Sequence, residues 1–169
     1  MRKLILKQID KQERVLGASL DWLRALVSAS LLGFFKFLLL TPFGNHRQRL
    51  PKNVWYVARL AATLHEDRGS CAQIVVSLAR KDGISRVLVN SVMHGQPERL
   101  SDELADVYHF TQAVLRQADD GVLRETLRSR YGEQGLVDIA LTIATSRIIP
   151  TTKRALGYAQ SCTLLRVAA

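Results

Sequence analysis

LHEDRGSCAQIVVSLARKDG (Leu64–Gly83) is the stretch whose pattern decides the fold. Cys71, Ala72, Val75, Val76 and Ala79 recur at three- and four-residue intervals, which draws one apolar stripe along a helix. Gly69 breaks the helix before this stripe, and Gly83 ends the helix that carries it. Ser70 stands where a capping residue is expected, which puts Cys71 in the first helical turn.

The same period extends outward over nearly the whole chain, and no stretch sustains strand-like alternation. The spacing predicts helices over Arg2–Val15, Ser19–Leu40, Asn53–Glu66, Ser70–Lys81, Ser85–Met93, Asp102–Gln117, Val122–Ser129, Gln134–Ser146 and Thr151–Arg166. Pro42 with Gly44, then Gly69, Gly83, Gly95 with Pro97, Gly121, Gly132 and Pro150 supply the breaks. Ser101 is expected to cap a helix whose first residues, Asp102 and Glu103, suit its positive end. Pro150 is expected to open the last helix with its φ preset. The expected fold is an all-α helical bundle, with an N-terminal helical arm over residues 1–50 and a helical domain over residues 51–169.

With 169 residues, the chain can bury a core of ordinary size without staples. Hydrophobic residues make up 47% and charged residues 23%, a globular balance that excludes intrinsic disorder. Lys and Arg number 24 against 15 Asp and Glu, leaving a formal charge of +9. That excess admits nucleic acid, an anionic membrane surface or acidic ligands as partners, and selects none of them. Two cysteines, Cys71 and Cys162, are too few for a secreted disulfide scaffold. No Gly-rich phosphate loop and no nucleophile elbow occurs, so nucleotide and serine hydrolysis lack support.

The N-terminus mixes Arg2, Lys3, Lys7 and Lys11 with Leu4, Leu6 and Ile9, and an apolar run follows from Ala25 to Phe43. A signal peptide is not expected, because Asp10, Glu13 and Asp21 interrupt the basic leader. A membrane span is not expected either, because Lys36 cuts the run short of the ~20 apolar residues a crossing needs. A cytoplasmic protein is expected. Residues 25–43 form either a helix buried in the core or against a second copy, or a peripheral membrane contact through Phe34, Phe35 and Phe37 with Lys36, Arg47 and Arg49 at the head groups.

Cys71 carries the chemical interest. A thiol in a helix's first turn feels free backbone N–H groups and the positive end of the dipole, which favour thiolate. Arg68 adds positive charge, Glu66 and Asp67 oppose it, and Glu66 or His65 could accept a proton. A small buried thiol that merely packs satisfies the same spacing. Both readings stand at this level.

His65-Glu66-Asp67-Arg68-Gly69-Ser70-Cys71 with its following helix resembles the redox segment of the carboxymuconolactone decarboxylase/alkylhydroperoxidase D-like family. Leu100–Leu115, Tyr131-Gly132-Glu133-Gln134-Gly135-Leu136-Val137 and Pro150–Tyr158 are similar to later segments of that family, so the likeness runs from about Pro51 to Cys162. The resemblance implies an all-helical homo-oligomer with antioxidant peroxidase activity, in which two cysteines three positions apart share the redox work. Here Arg68 stands at the first cysteine position, Cys71 at the second and Val75 at that of the family's histidine. The implied site is therefore a one-cysteine version: Cys71 attacks peroxide, Glu66 and His65 handle protons, and Arg68 stabilises charge. A sulfenic acid on Cys71 would then be resolved by an external thiol reductant or by Cys162, the latter requiring Cα atoms within about 7 Å. The alternative is a family member without the chemistry, acting in binding or assembly.

A third reading is a DNA-binding helix-turn-helix over Ala79–Val92, with Ser85, Arg86, Asn90 and Ser91 presented by the second helix. Leu88, Val89 and Val92 occupy much of that helix, so nucleic acid is the less expected partner. His65, His94 and His109 form no metal-ligand pattern, and no cofactor or metal is expected. Asp102, Glu103 and Asp106, and the basic series Arg124, Arg128 and Arg130, read as solvated faces.

Overall fold

The computed structural model describes residues 1–40, 42–118 and 121–158, and among them no strand occurs. In chain order the helices are α1 (Arg2–Leu16), α2 (Asp21–Ala29), α3 (Leu31–Leu38), α4 (Lys52–Glu66), α5 (Ser70–Lys81), α6 (Arg86–Met93), α7 (Asp102–Leu115), α8 (Gly121–Ser146) and α9 (Ile148–Ala155). Short 3₁₀ turns at Phe43–Asn45 and Pro97–Arg99 link α3 to α4 and α6 to α7.

α4 organises the body. Val54, Trp55, Tyr56, Val57, Ala58, Leu60, Ala61 and Ala62 are all buried, so the helix is apolar nearly all round. Such a helix must be enclosed by others, and α5, α6, α7, α8 and α9 all pack against it. Each fully buried Leu or Val there contributes about 1.5–3 kcal/mol of transfer free energy. The main core runs from Leu50 through these residues to Leu127, Ile139 and Ile143.

The first three helices form a second, smaller core of Ile9, Leu20, Val27 and Phe34. Arg24 on α2 ties it together, binding Asp10 and Glu13 of α1 and Asp21 of its own helix. The three acidic residues that spoil a leader reading are thus the partners of one arginine. These groups are partly exposed, so each pair contributes little.

Several boundaries differ from the sequence reading, each for a local reason. The expected helix Ser19–Leu40 is two helices, because Ser30 adopts extended backbone and its hydroxyl accepts from the Gly33 N–H at 2.9 Å, starting a new helix. Ser101 holds the cap position of α7, but its hydroxyl makes no capping bond. Pro150 is the third residue of α9 rather than its first, still within the turn whose N–H groups are free. That last helix ends at Ala155, and residues 159–166 of the expected one lie outside the described residues. The two helices expected around Gly132 are one run broken there, at φ 71° and ψ 178°, a conformation essentially confined to glycine.

A buried carboxylate fixes the junction between arm and body. Asp138 of α8 is only 1% exposed, and its Oδ2 accepts from the backbone N–H groups of Gln48, Arg49 and Leu50 at 2.9, 2.8 and 3.2 Å. His46 Nε2 approaches the other oxygen at 3.2 Å. The segment that enters α4 is thereby held by a side chain some ninety residues away in sequence.

Candidate functional site

The start of α5 is built by Asp67, not by Ser70. α4 ends at Glu66, Asp67 turns to extended backbone, and its Oδ1 accepts from the Gly69 N–H at 2.6 Å. Its Oδ2 stands 3.4 Å from the Cys71 N–H. Gly69 occupies the cap position, and Ser70 is the first helical residue. Cys71 therefore lies in the first turn, as the spacing predicts.

Lys153 of α9 reaches the same turn. Its ammonium donates to Asp67 Oδ2 at 3.0 Å and to Ser70 Oγ at 2.6 Å, and lies 4.0 Å from Cys71 Sγ. Lys153 is 7% exposed, so this is a buried, fully paired cation. Burial alone would raise the Asp67 carboxyl, but its hydrogen bonds with Cys71, the Gly69 backbone and Lys153 outweigh that and hold it below the usual range.

The cysteine responds the other way. Burial, reinforced by the Asp67 carboxylate, pushes the Cys71 thiol up to about 12, against the opposing pull of Lys153. At neutral pH that leaves roughly a thousandth of the thiolate an unperturbed thiol would hold. The helix dipole and the lysine do not offset the loss of water.

The other predicted site residues do not converge on the sulfur. Glu66 is held by Arg147 Nε at 2.6 Å and Arg154 Nη2 at 2.9 Å. Burial alone would raise its pKa, but the two guanidinium bonds outweigh that and lower it, which makes it a poor proton acceptor. Its chemistry is structural: it pins α9 to the end of α4. His65 and Arg68 are exposed and line a separate surface depression with Tyr108, Gln112 and Arg116. Cys162 lies outside the described residues.

Cys71 does face a cavity, of about 370 Å³. The arm contributes Phe37 and Leu40 to its wall, α5 contributes Ile74 and Leu78, and the start of α9 contributes Ile148 and Ile149. Its polar lining comes from Thr63 and Arg59 of α4, Thr145 and Ser146 of α8, and Asn45. The volume falls within the ~300–1,000 Å³ range of small-molecule sites, and apolar walls with few polar groups are their usual lining. A wider depression along Gly121–Arg130 is lined by α8 alone, so no wall opposes it.

Arg59 is the residue that sequence reasoning passed over. Its guanidinium carbon sits 4.6 Å above the Trp55 ring. Among the described residues it has no ion pair or hydrogen bond, although Asp82 and Tyr56 act on it through space. Asp82 accepts from Tyr56 Oη at 2.8 Å instead. The available signal was an arginine in VWYVARLAATL, an otherwise apolar helix. Lys153 offered no such signal, since its partners lie 82 to 86 residues away.

Of the four residues named for the alternative DNA-reading helix, Ser85 and Arg86 are exposed, Asn90 is half-buried and Ser91 is buried. Ser91 is buried with Leu88, Val89 and Val92, and the Ser85 hydroxyl accepts from the Leu88 N–H at 3.2 Å as a cap. In the basic series, Arg128 pairs with Glu125 and Glu133, and Arg130 pairs with Asp106. Glu103 accepts from Tyr131 Oη at 2.6 Å. Among the described residues, no group of three His, Cys, Asp or Glu side chains is placed to hold a metal ion. No helix among them is long and apolar enough to cross a membrane. Comparison with protein families, with curated proteins and with solved structures returned no match.

Proposed function

We propose that this chain is a ligand-binding helical protein, and that the cavity beside Cys71 takes a small apolar molecule. The observation that carries this reading is the cavity itself, 370 Å³ of space walled by the arm, α4, α5, α8 and α9. Packed helices normally close such space, and leaving it open forfeits contacts on every lining side chain. A ligand restores them.

The peroxidase chemistry implied by the family resemblance needs a thiolate, and the thiol raised to about 12 works against it. Of the two residues expected to handle protons, Glu66 is engaged by Arg147 and Arg154, and His65 lines a different depression. On this reading Cys71 is part of the wall, which is the non-enzymatic binding role left open by the sequence.

Titration with a neutral fluorescent probe, N-phenyl-1-naphthylamine, tests the proposal. Saturable enhancement is expected, and Ile74→Trp, which fills the cavity, is expected to abolish it. Absence of saturable binding, or binding unchanged by Ile74→Trp, overturns the reading. Repeated peroxide turnover with a thiol reductant, lost in Cys71→Ser, would restore the peroxidase.

A second reading concerns the arm, and one observation favours it. Of the three phenylalanines expected at a membrane, Phe34 is buried in the arm's core, Phe37 is half-buried and Phe35 is exposed. Leu32, Leu38, Leu39 and Phe43 are exposed with it, next to Lys36 and the cationic α1. Exposed apolar side chains with adjacent lysines and arginines suit an anionic bilayer surface. Co-sedimentation with phosphatidylglycerol vesicles but not with phosphatidylcholine vesicles is expected. A chain that stays in the supernatant and scatters light as a dimer would assign the strip to a second copy instead.

A further inference from the structure

Among the described residues that line the cavity, Arg59 is the one charged side chain. Arg59 is partly buried, with the Trp55 ring beneath its guanidinium and Asp82 and Tyr56 acting on it through space. Trp55 Nε1 is also buried and also lacks an acceptor. Both groups can only donate hydrogen bonds, and neither donates one to a described acceptor. A partly buried guanidinium to which no carboxylate is bonded can receive an anionic ligand. An arginine fork is shaped to receive a carboxylate through two parallel bonds.

We propose that the cavity selects an apolar monoanion, a medium-chain alkanoate in chemical class, with its carboxylate on Arg59 and its chain between α5, α9 and the arm. This rests on the ligand-binding reading and names the ligand class that the reading leaves open. The apolar lining, Ile74, Leu78, Ile148 and Phe37, has the composition to take a hydrocarbon chain. Cys71 and Thr63 add no charge to the wall. The surface arginines Arg68 and Arg116 do not compete, because water already solvates them.

The test compares decanoate with its methyl ester on the full chain, followed by Trp fluorescence and by displacement of the neutral probe. The acid is expected to bind at least about tenfold more tightly than the ester, as one charge-assisted hydrogen bond implies. Arg59→Met is expected to bring the two affinities together while the ester's stays as it was, and Arg59→Lys to restore part of the preference. Arg116→Met, on the other depression, is expected to leave the preference intact. Equal binding of acid and ester by the unaltered protein overturns the inference and leaves the ligand-binding reading standing. So does a preference that survives Arg59→Met. Failure of both acid and ester, with the neutral probe also unbound, overturns the ligand-binding reading and this inference with it.

Discussion

Two cations flank the cavity, and they are held in opposite ways. Lys153 stands behind the Cys71 wall with Asp67 and Ser70 as partners, at 3.0 and 2.6 Å. Arg59 forms part of the wall and leans on an aromatic ring, with no carboxylate bound to it. Both come from helices; Lys153 is buried and Arg59 half-buried. The difference separates fold from function. A paired buried charge explains itself through the structure it holds, whereas a guanidinium bonded to no carboxylate is open to a ligand.

Removing a partner from the paired cation is the largest expected effect. Asp67→Ala leaves the Lys153 ammonium without its carboxylate and α5 without its turn, and should cost about 3–5 kcal/mol in urea unfolding. Asp67→Ala combined with Lys153→Met should recover most of that loss, since an apolar side chain then replaces a stranded charge. Arg59→Met, by contrast, breaks no pair and should move stability by less than about 1 kcal/mol. A cost for Arg59→Met equal to that for Asp67→Ala would erase the distinction between the two sites.

The pH dependence sharpens the same contrast. Asp67 and Glu66 both have folded pKa values below the usual carboxylate range. Their contribution is therefore present above the unfolded pKa, near 4, and is lost as the pH falls through the lower folded values. Unfolding followed from pH 6 downward should show this acid limb. Lys153→Met should shrink the limb, because Asp67 then titrates nearer its ordinary value, and Arg59→Met should leave it unchanged.

The smallest effect expected is on the sulfur. Cys71 should react with iodoacetamide far more slowly than a free thiol at pH 8, because its pKa lies near 12. Asp67→Asn removes the neighbouring negative charge and keeps Lys153, so alkylation should quicken by about tenfold as the pKa falls. Rapid alkylation of the unaltered protein at that pH would return Cys71 to the list of nucleophiles.

Much of the architecture could be read from residue order. The apolar stripe of α5, the breaks at Gly69, Gly83 and Gly132, and the position of Cys71 in a first turn all follow from spacing within one helix. The split at Ser30 was missed because an uninterrupted apolar run hides a capping serine. At the site, the residue types beside Cys71 were visible but not their directions. His65 and Arg68 sit within six residues of the sulfur and line a different depression, while Glu66 points into an arginine pair. Neighbours along a turn spread around it, so sequence proximity at a helix break says little about convergence.

Residue order by itself determined that this chain is helical and where most of its helices begin and end, because those preferences are local to a few residues. Tertiary packing alone decided that Lys153 meets Asp67 across 86 residues, that Asp138 reaches the backbone of Gln48, and that an arm and four body helices leave space beside Arg59. Helix formation depends on hydrogen bonds within a turn. The charge on a buried group depends instead on what distant chain brings to it, and on what water is taken away.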